Sequence, residues 1–206
     1  MFSCLYNSLQ TGRSKADTHL PHFKEANTMT SETVQNQKSG SSLKLLTITA
    51  MLTAMNIVLS SFGIPVPGGH LYLNDIVICT AAILLDPLHA FVVGGIGAFL
   101  GDFFFYPAPM FVSLVTHGLQ AVVISLLAHD AATKKIAGKG RAILAVIVGA
   151  VIMVVGYSLG RAFIYSTPAY ALLKLPYQIL QAAIGAVLSV ILCYRFKIRQ
   201  VFEQSM

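Results

Sequence analysis

Three sets of polar side chains recur at helical spacing inside stretches that are otherwise apolar. Ser113, His117 and Gln120 fall at i, i+4 and i+7, as do Lys174, Gln178 and Gln181, with Tyr177 beside them. Tyr157, Arg161 and Tyr165 follow at i, i+4 and i+8. Each spacing gathers its residues on one helix face. One such stripe can be satisfied by a hydrogen bond to a neighbouring helix, but three together point to a shared cavity. Glutamine offers a donor and an acceptor side by side, as a heterocycle does, and a phenol ring can stack on its face. The chemistry implied is recognition of a small, neutral or weakly charged aromatic ring with hydroxyl groups. A polyanionic substrate would need more basic groups than Arg161 and Lys174.

Each residue also has a plainer reading. His117 could be a hydrogen-bonded core residue, and Arg161 could neutralise Asp102 or Asp75. Lys174 is expected to snorkel to the headgroups. Asn74 and Asp75 are placed to cap a helix start, and the tyrosines to sit at a membrane interface.

No reaction motif accompanies the stripes. The chain has no Walker A loop, no His-Glu-x-x-His and no Cys-x-x-Cys. Its three cysteines, Cys4, Cys79 and Cys193, lack metal-ligand spacing and read as small apolar residues. An intramembrane enzyme using His117 with Asp75 or Asp102 would lack a credible nucleophile or metal set. A stand-alone secondary carrier would be expected to show internal repeats and a midplane carboxylate, whereas these carboxylates fall near span ends.

The surrounding elements must be membrane helices. Hydrophobic residues make up 55% of the chain and charged ones 11%. Between Leu45 and Ala128, and between Ala142 and Tyr194, the only charged residues are Asp75, Asp86, Asp102, Arg161 and Lys174. Runs this apolar are transmembrane. The expected fold class is therefore an all-α integral membrane protein, with six helices over residues 43–62, 71–85, 88–104, 110–128, 142–165 and 170–194. The net charge of +6 gathers in the N-terminal segment, the loop with Lys134, Lys135, Lys139 and Arg141, and the C-terminal Arg195, Lys197 and Arg199. Basic loops stay inside, so both termini are expected in the cytoplasm. The charge reports topology, not nucleic-acid binding.

Residues 1–42 are polar, without a signal peptide's apolar core, and read as a disordered cytoplasmic tail; Met29 is a second candidate start. Residues 43–195 form the membrane domain and 196–206 a short basic tail. The Gly63–His70 segment is too rich in Pro and Gly for helix yet apolar, which suits a lid folded over the protein. Gly97 and Gly101 form a close-packing pair inside the bundle. Ala50 and Ala54 flatten one face of the first helix, either for packing within the chain or for docking another membrane protein.

These segments carry a resemblance. The Ala50-x-x-x-Ala54 pair resembles the motif of substrate-binding S components of energy-coupling factor (ECF) vitamin transporters. The stretch from Pro67-Gly68-Gly69 through Leu73-Asn74-Asp75 to Gly94-Gly95-Ile96-Gly97 resembles one branch of that family. The block from Gly101-Asp102 to Tyr106-Pro107, with Thr116-His117-Gly118-Leu119-Gln120, is similar to hydroxymethylpyrimidine-type members, which also take vitamin B6 forms. The resemblance covers about residues 43–195. It implies a six-helix bundle in the bacterial cell membrane that binds a vitamin near the outer face under the loop around Val66–Tyr72. Substrate contacts are then expected from Tyr72, Asn74, Ser113, His117, Gln120, Tyr157, Arg161, Tyr177, Gln178 and Gln181. Ala50 and Ala54 would dock on a transmembrane coupling subunit driven by two ABC-type ATPase subunits, so that the chain needs no cofactor and its partners use the ATP. Riboflavin or pantothenate is the alternative ligand, and pantothenate, an anion, would use Arg161 or Lys174.

Overall fold

The computed structural model describes residues 42–67, 69–130, 136 and 138–205. The expected N-terminal tail, Cys4, Met29, Lys134 and Lys135 lie outside the described residues. Helix α1 runs over Ser42–Ser60. Strands β1 (Ile64–Val66) and β2 (Gly69–Leu71) follow, then α2 (Asn74–Leu84). Helices α3 (Pro87–Phe105), α4 (Met110–Ala128), α5 (Lys139–Tyr165) and α6 (Pro168–Tyr194) come next, and α7 (Ile198–Ser205) ends the chain.

Five of these helices, α1 and α3 to α6, are long and apolar enough to cross a membrane. A 19-residue helix such as α4 is about 28 Å long at 1.5 Å per residue, close to the roughly 30 Å of the hydrocarbon core. The second expected span is shorter than its predicted range of 71–85. Helix α2 has 11 residues, about 16 Å of helix, and Leu71 belongs instead to β2. All of α2 except Ile76 is buried, so its polar groups meet protein rather than lipid.

The Pro/Gly segment is an antiparallel hairpin, with Ile64 opposite Leu71, Pro65 opposite His70 and Val66 opposite Gly69. Gly69 has φ +135°, a backbone conformation that side chains disfavour. A tight turn leads into α3. Asp86 caps the helix by accepting from the Leu88 N–H at 3.3 Å, and Pro87 occupies the first turn, where its missing N–H costs nothing.

Within α3 one π-helical turn covers Val92–Ile96. The Gly97 N–H bonds back to Val92 and Gly94, not to Val93. The Val93 carbonyl so released accepts from Asn56 Nδ2 of α1 at 2.6 Å. A Cβ at Gly97 would lie 2.7 Å from that Asn56 nitrogen, and one at Gly101 2.6 Å from Ser60 Oγ. The Gly97–Gly101 pair therefore is a close-packing face, and α1 is what packs on it. The other side of α1, with Ala50, Met51, Ala54, Met55 and Val58, is exposed.

The apolar core is built around α2 (Ile78, Ile83, Leu84) with Leu85 after it, Ala121 and Ile124 of α4, and Ala145 and Val146 of α5. On α4 the polar residues Ser113, His117 and Gln120 precede this core segment in sequence, which separates a polar end of the bundle from an apolar one. Cys79 and Cys193 are buried free thiols, as expected of small core residues. The expected C-terminal tail is helical from Ile198 to Ser205, and Ile198 and Phe202 pack against the core. Lys197, at φ +58°, makes the turn into it.

Candidate functional site

The hairpin and the polar ends of the helices enclose a cavity of about 80 Å³. Ser60 of α1, Asn74 of α2, Asp102 of α3 and His117 of α4 contribute to its wall, with Tyr157, Arg161 and Tyr165 from α5 and Lys174, Gln178 and Gln181 from α6. His70 and Tyr72 close it from the hairpin side. Stripes on three helices thus converge on one chamber.

A buried network lies behind the wall. Asp75 accepts from Gln120 Nε2 at 3.3 Å on one carboxylate oxygen and from Gln181 Nε2 at 2.7 Å on the other. Gln120 Oε1 meets His117 Nδ1 at 2.7 Å. His117 Nδ1 is 3.8 Å from Asp75, too far for a direct hydrogen bond, so Gln120 bridges the two. Gln181 Oε1 accepts from the Tyr72 backbone N–H at 3.1 Å, which ties the hairpin's exit to α6. A second chain runs from the Tyr157 hydroxyl to Ser113 Oγ at 2.5 Å, and from Ser113 to the Asp102 carboxylate. The Tyr157 ring sits against the His117 ring with centroids 5.1 Å apart. Gln178 Nε2 donates to the Val154 carbonyl at 2.8 Å, pinning α6 to α5.

Seven of the expected contact residues line the cavity: Tyr72, Asn74, His117, Tyr157, Arg161, Gln178 and Gln181. Ser113 and Gln120 lie behind that wall, bonded to residues on it. Tyr177 is not among the lining residues, because one step along a helix from Gln178 turns about 100° away.

Several plainer readings are corrected. Lys174 does not reach for headgroups. It is 3% exposed and donates to the His70 carbonyl of the hairpin. Asn74 and Asp75 do not cap α2, whose N-cap is Leu73 with no side-chain hydrogen bond; Asn74 instead reaches Ser60 Oγ at 3.4 Å. Among the described residues no ion pair is found between Arg161 and Asp75 or Asp102. The guanidinium lies 5.6 Å from the Tyr165 ring centroid, and a Cβ at Gly69 would be 3.7 Å from its tip. Asp102 and Lys174 both line the chamber, beside Arg161. Sequence reasoning also passed over His70 and Ser60 as wall residues. His70 was hidden in a loop without periodicity, and Ser60 follows Asn56 by one helical turn, a polar pair in an apolar helix that could have been noticed.

A bundle with five apolar membrane-length helices, enclosing a polar chamber under a hairpin, is the architecture of a multi-pass membrane protein that binds a small molecule. Residues 40–197 match the family described as ECF-type riboflavin transporter, S component. The match covers most of the chain, and the chain belongs to that family. No curated protein matches it. It is thus a subunit of a transporter and not an enzyme, resident in the cell membrane.

Proposed function

We propose that this chain is the high-affinity substrate-binding subunit of an ECF-type importer and that it captures a single-ring heteroaromatic vitamin or precursor, hydroxymethylpyrimidine or a vitamin B6 form. The observation that carries this reading is the enclosed chamber with His117, Asp102, Gln178 and Gln181 on its wall. At about 80 Å³ it lies well below the roughly 300–1,000 Å³ of pockets that hold drug-sized ligands, which favours one ring over a tricyclic flavin with its ribityl chain. Polar groups on several sides suit a ring bearing amino or hydroxymethyl groups.

The chain would cross the membrane six times, α2 counting as a crossing completed by the hairpin on one side and the Asp86 turn on the other. Both termini would lie in the cytoplasm, with the hairpin facing outward. Tyr72, Asn74, His117, Tyr157, Arg161, Gln178 and Gln181 would touch the ligand, while Ser113 and Gln120 would orient those that do. The exposed face at Ala50 and Ala54 would dock on a transmembrane coupling subunit served by two ATPase subunits, and ATP would be used there, with no cofactor on this chain. Small residues permit close helix approach in lipid, and nothing within the described chain covers them.

Riboflavin is the second reading, favoured by the description of the matching family. Calorimetry or native mass spectrometry on the purified chain, against hydroxymethylpyrimidine, pyridoxine, riboflavin and pantothenate, separates the two. Tight binding of a single-ring compound is expected. Tight binding of riboflavin alone would replace the ligand and keep the class, and binding of none would remove the chamber as a vitamin site.

A further inference from the structure

The hydrogen bonds around Asp75 have a polarity that follows from one group whose role is fixed by covalent structure. The Tyr72 backbone N–H can only donate, and it faces Gln181 Oε1 at 3.1 Å. That orients the Gln181 amide, so its Nε2 donates to Asp75 Oδ2 at 2.7 Å. Turning the amide over would set donor against donor at Tyr72 and acceptor against acceptor at the carboxylate. Gln120 Nε2 has two acceptors of its own, Asp75 Oδ1 at 3.3 Å and the Cys79 sulfur at 3.6 Å. Its Oε1 is therefore turned to His117 Nδ1 at 2.7 Å. An amide oxygen only accepts, so Nδ1 carries the proton, and in a neutral imidazole Nε2 is then an acceptor. With Nδ1 engaged, Nε2 is the ring nitrogen left for a molecule in the chamber.

Neighbouring groups on that wall share the character. Asn74 Oδ1 is buried with no partner among the described residues, whereas buried polar atoms are normally paired. The second chain also runs its donors into a carboxylate, from Tyr157 through Ser113 to Asp102. The cationic side chains lie toward the hairpin, with Lys174 on the His70 carbonyl and the Arg161 tip beside Gly69.

We infer that Asp75, acting through Gln120, holds His117 as the Nδ1–H tautomer so that Nε2 accepts a hydrogen bond from an N–H or O–H donor on the ligand's edge, and that the same carboxylate, acting through Gln181, holds the hairpin closed over that ligand. The ligand half rests on the chamber being the vitamin site. Asp75 is a positioning residue: it orders both the group that reads the ligand and the segment that covers it. The class selected is a heteroaromatic ring carrying an exocyclic amino, hydroxymethyl or hydroxyl group on the edge that faces α4.

The test uses the full chain, purified in detergent at pH 7 with no vitamin added and with its histidines labelled with nitrogen-15. The His117 signals are assigned by their loss in His117→Ala. The expected result is a protonated, pyrrole-like Nδ1 and a pyridine-like Nε2. Asp75→Asn should abolish this signature and speed exchange of the Tyr72 amide by about tenfold. Gln181→Met, which keeps the carboxylate, should speed Tyr72 exchange and leave the His117 signature unchanged, and it serves if the Asp75 variant does not fold. A protonated Nε2 in the wild-type chain, or unchanged Tyr72 exchange in Gln181→Met, would overturn the inference. Because these readouts need no vitamin, the tautomer can stand while the vitamin reading fails, and the reverse. The ligand half is read separately with hydroxymethylpyrimidine and its analogue in which the 4-amino and hydroxymethyl groups are both replaced by methyl. The parent compound should bind at least about tenfold more tightly, and equal binding would overturn that half.

Discussion

Gly185 of α6 lets Asp75 take its place in the network, and that contact can be tested without touching a hydrogen-bonding group. A Cβ built at Gly185 would lie 2.6 Å from the Asp75 Cβ and 3.3 Å from its carbonyl carbon. These atoms belong to or adjoin the backbone of α2, so no side-chain rotation relieves the clash; α2 or α6 must move. Forcing a methyl into a packed site costs about 1–3 kcal/mol, against a gain of about 1 kcal/mol for alanine over glycine in a helix. With the contact this short and backbone-anchored, Gly185→Ala should lose a net of about 1–2 kcal/mol, a fall in Tm of about 2–8 °C for a chain this size. The internal control is Gly140→Ala near the start of α5, where an added Cβ meets nothing within 4 Å. That variant should hold or raise the Tm. Thermal unfolding of both variants in one detergent, followed by circular dichroism, gives the comparison. The reasoning fails if Gly185→Ala melts with the wild type, or if Gly140→Ala falls as far.

Ala50→Arg should abolish vitamin uptake into proteoliposomes holding the coupling complex while leaving ligand affinity unchanged, because the residue is on the exposed face of α1 and does not line the chamber; normal uptake would remove the docking assignment. His117→Ala and Gln120→Ala should each weaken binding by about 1–3 kcal/mol, roughly 5-fold to 150-fold, since each leaves a buried partner unpaired; calorimetry showing unchanged affinity in both would move the site elsewhere. Asn56→Leu should lower stability by about 1–3 kcal/mol, because the Val93 carbonyl released by the π turn loses its donor. A Tm equal to wild type would show that carbonyl to be satisfied in another way.

The helices of this protein were legible because lipid permits only a narrow composition, and α4 occupies the predicted range, Met110–Ala128. The convergence of the polar stripes was legible for the same reason, since polar groups at that depth must find protein. Lys174 was expected to snorkel, but its face of α6 is turned to the chamber and the hairpin gives it a carbonyl. Asp75 and Asn74 resembled a cap because their spacing from the loop was right; only the tertiary position of Gln120 and Gln181 shows why the Asp75 carboxylate points inward. The start of α2 moved from residue 71 to Asn74 because the strand pairing of Ile64 with Leu71 claims the earlier residue. Helix α7 was missed although Ile198, Val201 and Phe202 carry its period, since eight residues beside basic neighbours read as tail.

The enclosure of α2 bears on how the chain enters the bilayer. Eleven residues with a carboxylate in the first turn make only about 16 Å of helix against a hydrocarbon core of roughly 30 Å, too short to partition from a translocon as an independent segment. Only Leu85 and Asp86 separate it from α3, which is long and apolar enough to insert alone. The two helices are therefore expected to enter the bilayer together as one helical hairpin, with α3 carrying α2, and the shelter that α2 has in the finished fold would come from α3 and the helices synthesised after it.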